Sequence, residues 1–153
     1  MKILKIYVIL IVAAISILSC ANKQQDEAES MLQQANEYFD KKEYNKALRS
    51  IDSLRNIYPN AIEVRKQALK LYQSISLKQT QEELARTDSA LQAVILNYNY
   101  LKAKVDKDRQ ELRATPEELQ MLTLVRMKRD SLQVCFDTQC AKIKYIHKKQ
   151  KEI

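Results

Sequence analysis

The chain has 153 residues, a net charge of +7, two prolines and no glycine. Its length allows one domain or two small lobes. Without glycine the chain lacks the usual residues of hairpin turns and phosphate-binding loops, which argues against β-rich folds and nucleotide sites. The positive charges are spread too evenly to indicate a nucleic-acid interface. Strand-forming residues stand among Gln, Glu, Lys, Ala and Leu at helical spacing, so an all-α fold is predicted.

The first 20 residues have the order of a secretion signal. Lys2 and Lys5 precede an apolar run from residue 6 to 18, which is shorter than the roughly 18–20 residues that cross a bilayer. The run closes on Ile17, Leu18, Ser19 and Cys20. This ending resembles the signal of bacterial lipoproteins, which is cut before the cysteine. An ordinary secretory signal and an uncleaved anchor are the alternatives.

The lipoprotein resemblance implies a domain order and a location. Residues 1–19 would be the signal peptide, recognised at Ile17, Leu18 and Ser19, and residues 20–25 the lipidated cysteine and a polar tether. Cys20 would carry a fatty acid such as palmitate and anchor the protein to a membrane. Ala21 follows the cysteine where an aspartate would resemble a signal for inner-membrane retention. We therefore expect an outer-membrane lipoprotein that faces the periplasm.

Small and aromatic residues recur over two predicted helices between residues 26 and 60. They are Ala35, Tyr38, Tyr44, Ala47 and the closing Pro59. This spacing resembles one degenerate tetratricopeptide repeat, in which small residues let two antiparallel helices approach closely and tyrosines fill the groove between them. An ordinary helical hairpin is the alternative. One repeat cannot bury its own apolar face, so a following helix is predicted to complete a lobe over residues 26–78. The apolar stripe of that helix is Ala61, Val64, Ala68, Leu71 and Ile75.

Residues 79–153 are predicted to form a long antiparallel coiled-coil hairpin. A heptad stripe begins just before them and contains Leu77, Leu84, Leu91, Tyr98, Val105 and Leu112, with companions Thr80, Thr87, Val94, Leu101 and Asp108. This stripe is out of phase with the preceding one. The phase change predicts a kink or a new helix start between Gln73 and Gln81, with Thr80 and Glu83 as a capping box; a bent continuous helix is the alternative.

The second helix of the hairpin has a clear predicted start. Thr115, Pro116 and Glu118 have the types and spacing of an N-cap, a first-turn proline and a capping-box glutamate. The following stripe contains Leu122, Val125, Leu132, Phe136, Ile143 and Ile146, interrupted by Arg129 and Gln139. A reversal at Ala114 and Thr115 places Tyr98 near Leu132.

The sequence predicts no catalytic residue, no cofactor and no metal ligand set. His147 is the only histidine, and the acidic residues stand beside basic ones at helix-surface spacing. Cys135 and Cys140 are five residues apart, which on an intact helix places them too far around its axis for a disulfide. Buried free thiols, a bridge with a broken helix, and an intermolecular or redox role are the alternatives.

A partner contact is predicted on the outside of the hairpin. Residues 93–96 are all apolar, so one partner helix cannot cover them. Ile95, Leu96 and Tyr100 are predicted to lie at a contact with the lobe, with a second copy of the chain, or with another protein. The lysines near the C-terminus, Lys142, Lys144, Lys148, Lys149 and Lys151, are either a solvated face or a contact to an anionic surface.

Two functions from different classes follow. One is a lipid-anchored, non-catalytic scaffold or adaptor that binds another cell-envelope protein, as the tetratricopeptide resemblance implies. The other is a periplasmic holdase, because a basic helical hairpin is similar to the arms of outer-membrane chaperones. We expect no enzymatic activity and no nucleic-acid partner.

Overall fold

The computed structural model describes residues 23–152, and within that range every regular element is an α-helix. Residues 23–40 form α1, Tyr44–Ile57 form α2, Ile62–Gln110 form α3 and Pro116–Gln150 form α4. The predicted all-α fold is confirmed. The helices belong to two compact units that divide between Ile75 and Ser76, inside α3. The unit that ends at Ile75 is called the lobe below, and the unit from Ser76 onward is called the hairpin.

Helix α1 includes residues that the sequence assigned to the tether. Residues 23–25 are helical, and the Gln25 side-chain amide donates to the Glu29 carboxylate at 3.0 Å. A hydrogen bond between residues four apart stabilises a helix surface. The predicted tether is therefore too long, because helical structure is already present at Lys23.

The core of the lobe is built from three helices and includes several buried alanines. Its fully buried residues include Ala35 of α1, Ala47 and Ile51 of α2, and Ala68 and Ile75 of α3. Tyr38 and Tyr44 are partly buried and pack against the same core, while Pro59 is exposed in the turn after α2. The prediction that the first part of α3 covers the helical pair is confirmed. Membership of the tetratricopeptide class stays a prediction.

Two helix ends adopt the left-handed conformation without glycine. Lys42 has a φ of 59° and Leu112 a φ of 58°. In each case the next residue donates its N–H to a carbonyl five residues earlier: Glu43 to Tyr38, and Arg113 to Asp108. This is the Schellman pattern, whose left-handed residue is usually glycine. Leu112 is 95% exposed there, so its predicted place in the apolar seam is wrong.

Helix α3 is continuous where a new helix start was predicted. It runs unbroken through the serine and threonine residues from 74 to 80. Thr80 does not cap a helix; its hydroxyl donates to the Ser76 carbonyl at 2.7 Å, which satisfies a buried polar group within the helix. The change of phase therefore coincides with the boundary between the two units and not with a chain break.

Except for Leu112, the predicted stripe residues of α3 and α4 are buried or half-buried, and these residues together are called the seam. Thr80, Leu91, Val105 and Ile146 are buried. The other seam residues that precede Leu112 are half-buried, as are those of α4. This pattern of burial follows the heptad spacing predicted from the sequence.

Two contacts show which parts of the hairpin helices lie side by side. Lys104 of α3 forms an ion pair with Glu118 of α4, and the Arg129 guanidinium lies over the Tyr98 ring, 4.2 Å from its centroid. Moving back along α3 from Lys104 to Tyr98 corresponds to moving forward along α4, so the two helices are antiparallel. Tyr98 contacts Arg129, which stands one helical turn before the predicted neighbour Leu132.

The turn between α3 and α4 is closed by the predicted capping box. Thr115 Oγ1 accepts from the Glu118 N–H at 3.3 Å, and Glu118 Oε2 accepts from the Thr115 N–H at 3.1 Å. The hydrogen bond from Lys104, together with that from the Thr115 backbone, lowers the pKa of Glu118. One carboxylate thus joins the end of α3 to the start of α4.

The stability of the hairpin should fall as Glu118 becomes protonated. The pKa of Glu118 is lower in the folded state than in the unfolded state, where it is about 4.3. The carboxylate therefore contributes its full stabilisation above that unfolded pKa, and this stabilisation is lost as pH falls through the folded pKa. Thermal melting from pH 7 down to pH 3 measures this loss. Glu118→Gln keeps a capping-box acceptor without a titrating charge, so its melting temperature should fall less over that window. Equal decreases in melting temperature for the wild type and Glu118→Gln would contradict a stabilising role for the Glu118 charge.

Candidate protein-binding surface

The outer side of α3 carries an exposed apolar stripe. Leu96 and Tyr100 each stand two residues from Tyr98, which is about 200° around the helix and therefore opposite the seam. They are 71% and 72% exposed. Ala93 and Ala103 extend the row at heptad spacing and are also exposed. These four residues are called the outer α3 stripe.

Ile95 does not belong to that stripe. It is half-buried, because it lies three residues before Tyr98 and therefore on the same side of the helix as the seam. The structure thus separates the three predicted contact residues: Leu96 and Tyr100 lie together on the outer face, and Ile95 lies at the edge of the seam.

No charged residue interrupts this part of α3. From Ser89 to Leu101 the sequence contains neither an acidic nor a basic side chain, over roughly 20 Å of helix. Asn97 and Asn99 flank the outer α3 stripe and are exposed. A surface of this kind is typical of protein contacts, whose centres are depleted of charge and enriched in aromatic residues.

Helix α4 carries a second outer stripe that the sequence analysis missed. Leu124, Met127, Val134 and Tyr145 are exposed, and each stands two residues after a seam residue. Ser131, Thr138 and Ala141 occupy the intervening heptad positions, so the row is uncharged between them. These seven positions are called the outer α4 stripe. The signal was present in the sequence as a second heptad pattern displaced by two residues.

The side chains that could carry chemistry lie on helix surfaces. His147 is exposed, and its Nδ1 lies 3.2 Å from Gln150 Oε1. Cys135 is exposed, Cys140 is half-buried, and both thiols are free on an unbroken α4. A buried thiol pair and a bridge across a broken helix are therefore both wrong for this structure. Within residues 23–152, no cluster of three or more His, Cys, Asp or Glu side chains is placed to hold a metal.

The lysines near the C-terminus are solvated. Lys142, Lys144 and Lys148 are exposed. Lys149 pairs with Glu152 at 2.6 Å, and this hydrogen bond raises the pKa of Lys149. An anionic contact at this end stays a prediction.

The lobe carries a basic pocket at one end. It has a volume of about 390 Å³ and is lined by Arg55, Ile62, Arg65, Lys66 and Leu69. Cationic and apolar groups thus share one surface, a combination that the sequence patterns did not indicate.

The predicted lipidation residues, Ile17, Leu18, Ser19 and Cys20, lie outside the described residues. Among the helices of the described range, none combines the length and apolar character needed to span a bilayer. Comparison with protein-family models, with curated proteins and with solved structures gives no match for the chain.

Proposed function

We propose that this protein is a lipid-anchored, non-catalytic scaffold that binds another protein of the bacterial cell envelope through the outer stripes of its hairpin. The observation that carries the proposal is the exposure of Leu96 and Tyr100 on the face opposite the seam. An isolated two-helix hairpin uses one face of each helix. Here each helix has a second apolar face at the same heptad spacing, which suits contact with further helices.

The exposed apolar side chains of the two outer stripes would gain free energy on burial against a partner. Burying a large apolar side chain such as leucine stabilises a protein by roughly 1.5–3 kcal/mol relative to leaving it in water. The outer α3 stripe presents two large apolar side chains and the outer α4 stripe presents four. Contiguous apolar surface of this kind marks interaction sites more often than scattered exposed residues do.

The anchor in this proposal is Cys20, acylated after removal of residues 1–19, in the outer membrane with the protein facing the periplasm. Support comes from the Ile17-Leu18-Ser19-Cys20 ending and from the absence of charge in the apolar run before it. Incorporation of labelled fatty acid into the wild type but not into Cys20→Ala is the expected result.

The binding surface is tested by photocrosslinking in cells. A photoreactive residue at Leu96 should give one product of defined mass, and the same residue at Val134 tests the outer α4 stripe. Lys102 is the matched control, because its side chain is 51% exposed but lies outside both stripes. A product at the mass of two chains would identify a homo-oligomer. Equal yields at Leu96, Val134 and Lys102, or no product at any of them, would overturn the proposal.

A holdase is the second candidate, and exposed methionines favour it. Met121 and Met127 are exposed near the start of α4. Methionine side chains are flexible and recur on surfaces that bind many partners. A broad distribution of crosslinked masses, with suppression of aggregation of unfolded clients, would favour the holdase over the scaffold.

A further inference from the structure

The end of the lobe that carries the start of α1 also carries the turn between α2 and α3. The Tyr58 hydroxyl donates to Glu27 Oε2 at 3.1 Å, joining that turn to the second turn of α1. Helices α1 and α2 are antiparallel, so their connecting turn at Lys41 and Lys42 lies at the opposite end. The two ends are separated by roughly 27 Å, the length of an 18-residue helix.

The distance from this end to the proposed lipid anchor is short. Three peptide units join Cys20 to Lys23, where α1 is already helical. Even fully extended, they span roughly 10 Å. An acylated Cys20 therefore holds the Tyr58 end of the lobe close to the membrane surface.

This end exposes apolar and cationic side chains together. Ile57 and Ile62 flank the turn and are 58% and 62% exposed. The basic pocket beside them includes Arg55 and Arg65, whose contacts are with uncharged groups. The Arg55 guanidinium lies over the Tyr72 ring, 5.3 Å from its centroid, and Arg65 Nη1 donates to the Pro59 carbonyl at 2.7 Å. These contacts position both cations without neutralising them.

Two acidic groups at this end have hydrogen-bond or ion-pair partners. Glu27 accepts from Tyr58, and Glu63 forms an ion pair with Lys66 at 2.8 Å. Within the described residues neither Arg55 nor Arg65 forms an ion pair, so both charges are available to an external anion, beside two isoleucines that would enter an apolar layer. Cations at the headgroup level with apolar side chains below them are what an anionic lipid surface accommodates.

We propose that the Tyr58 end of the lobe docks on the anionic lipid surface that holds the anchor, with Arg55 and Arg65 at lipid phosphates and Ile57 and Ile62 in the interface. This inference rests on the acylation of Cys20 in the proposed function.

The test uses the full chain, purified from membranes in its acylated form and reconstituted into vesicles. A photoreactive residue at Ile62 should crosslink to lipid when the vesicles contain phosphatidylglycerol, and much less in pure phosphatidylcholine. Asn45 is the matched control, because it is exposed but lies at the opposite end of the lobe. Arg65→Gln should lower the yield at Ile62 by up to about fivefold in the phosphatidylglycerol vesicles, since one cation near an anionic surface contributes about that factor.

Docking of the lobe and acylation of Cys20 are tested separately. Fatty-acid labelling of Cys20 is measured on the same preparation. If Cys20 is labelled but Ile62 gives no more lipid product than Asn45, docking is wrong and the anchor stands. If Cys20 is not labelled, the anchor itself fails, and the inference fails with it. Equal yields from Ile62 in the two vesicle types would overturn the role of Arg55 and Arg65.

Discussion

Replacing Val105 with aspartate should unfold the hairpin. Val105 is fully buried in the seam. The seam cation Arg129 lies over the Tyr98 ring, about two helical turns from Val105, so the new carboxylate would have no partner within reach. Burying an unpaired charge, together with the loss of the valine contacts, destabilises a protein by roughly 3–5 kcal/mol. That is a large share of the 5–15 kcal/mol by which a typical domain is stable.

The measurement is urea denaturation followed by helical circular dichroism, with hydrogen exchange to locate the unprotected segment. Ala103→Asp is the matched control, because it introduces the same charge two residues earlier on the exposed outer face. Protection should be lost in α3 beyond Ser76 and in α4 for Val105→Asp, and kept for Ala103→Asp. Similar unfolding midpoints for the two variants would show that the seam does not pass through Val105.

Periodicity made the seam predictable. Leu91, Val105 and Ile146 were each identified from heptad spacing alone, and all three are buried. The spacing suffices because a long helix packed on one partner has only one covered side, which 3.5-residue periodicity specifies directly. The capping box at Thr115 was predictable for a similar reason, since it depends on three residue types within one turn.

The predictions for Leu112 and Thr80 failed because the local backbone conformation does not follow the sequence pattern there. Leu112 continues the heptad, but the helix has already ended at Gln110, and the left-handed residue of the Schellman turn points into solvent. In a chain without glycine, that position gives no local signal. Thr80 resembled an N-cap because its hydroxyl can accept from the backbone, whereas in the structure it donates back to Ser76 within α3.

The candidate binding surface was only partly predictable. Leu96 and Tyr100 were predicted as contact residues because one partner helix cannot cover the apolar run at residues 93–96 and the apolar residues beside it. The outer α4 stripe was missed because Ser131 and Thr138 interrupt its apolar residues, although neither is charged. The Tyr58 end of the lobe could not be foreseen at all. It depends on a contact between Glu27 and Tyr58, 31 residues apart, which no local pattern encodes.

A cavity at Ile51 should strongly lower the folding stability of the lobe. Ile51 is fully buried in a cluster that also contains residues of α1 and α3, among them Ala28, Ala35, Val64 and Ala68. Ile51→Ala should therefore destabilise the lobe by about 2–5 kcal/mol, through the lost burial and the cavity left behind.

Ile57→Ala supplies the comparison, since it is the same substitution on the same helix at a position that is 58% exposed. Surface substitutions away from special features usually change stability by less than about 0.5 kcal/mol. Denaturation midpoints should fall strongly for Ile51→Ala and hardly for Ile57→Ala, and hydrogen exchange in α1 and α2 should accelerate only for the former. If both variants lost the same stability, α2 would not pack through its Ile51 face, and the Tyr58 end would lose the rigid support on which its docking to lipid depends.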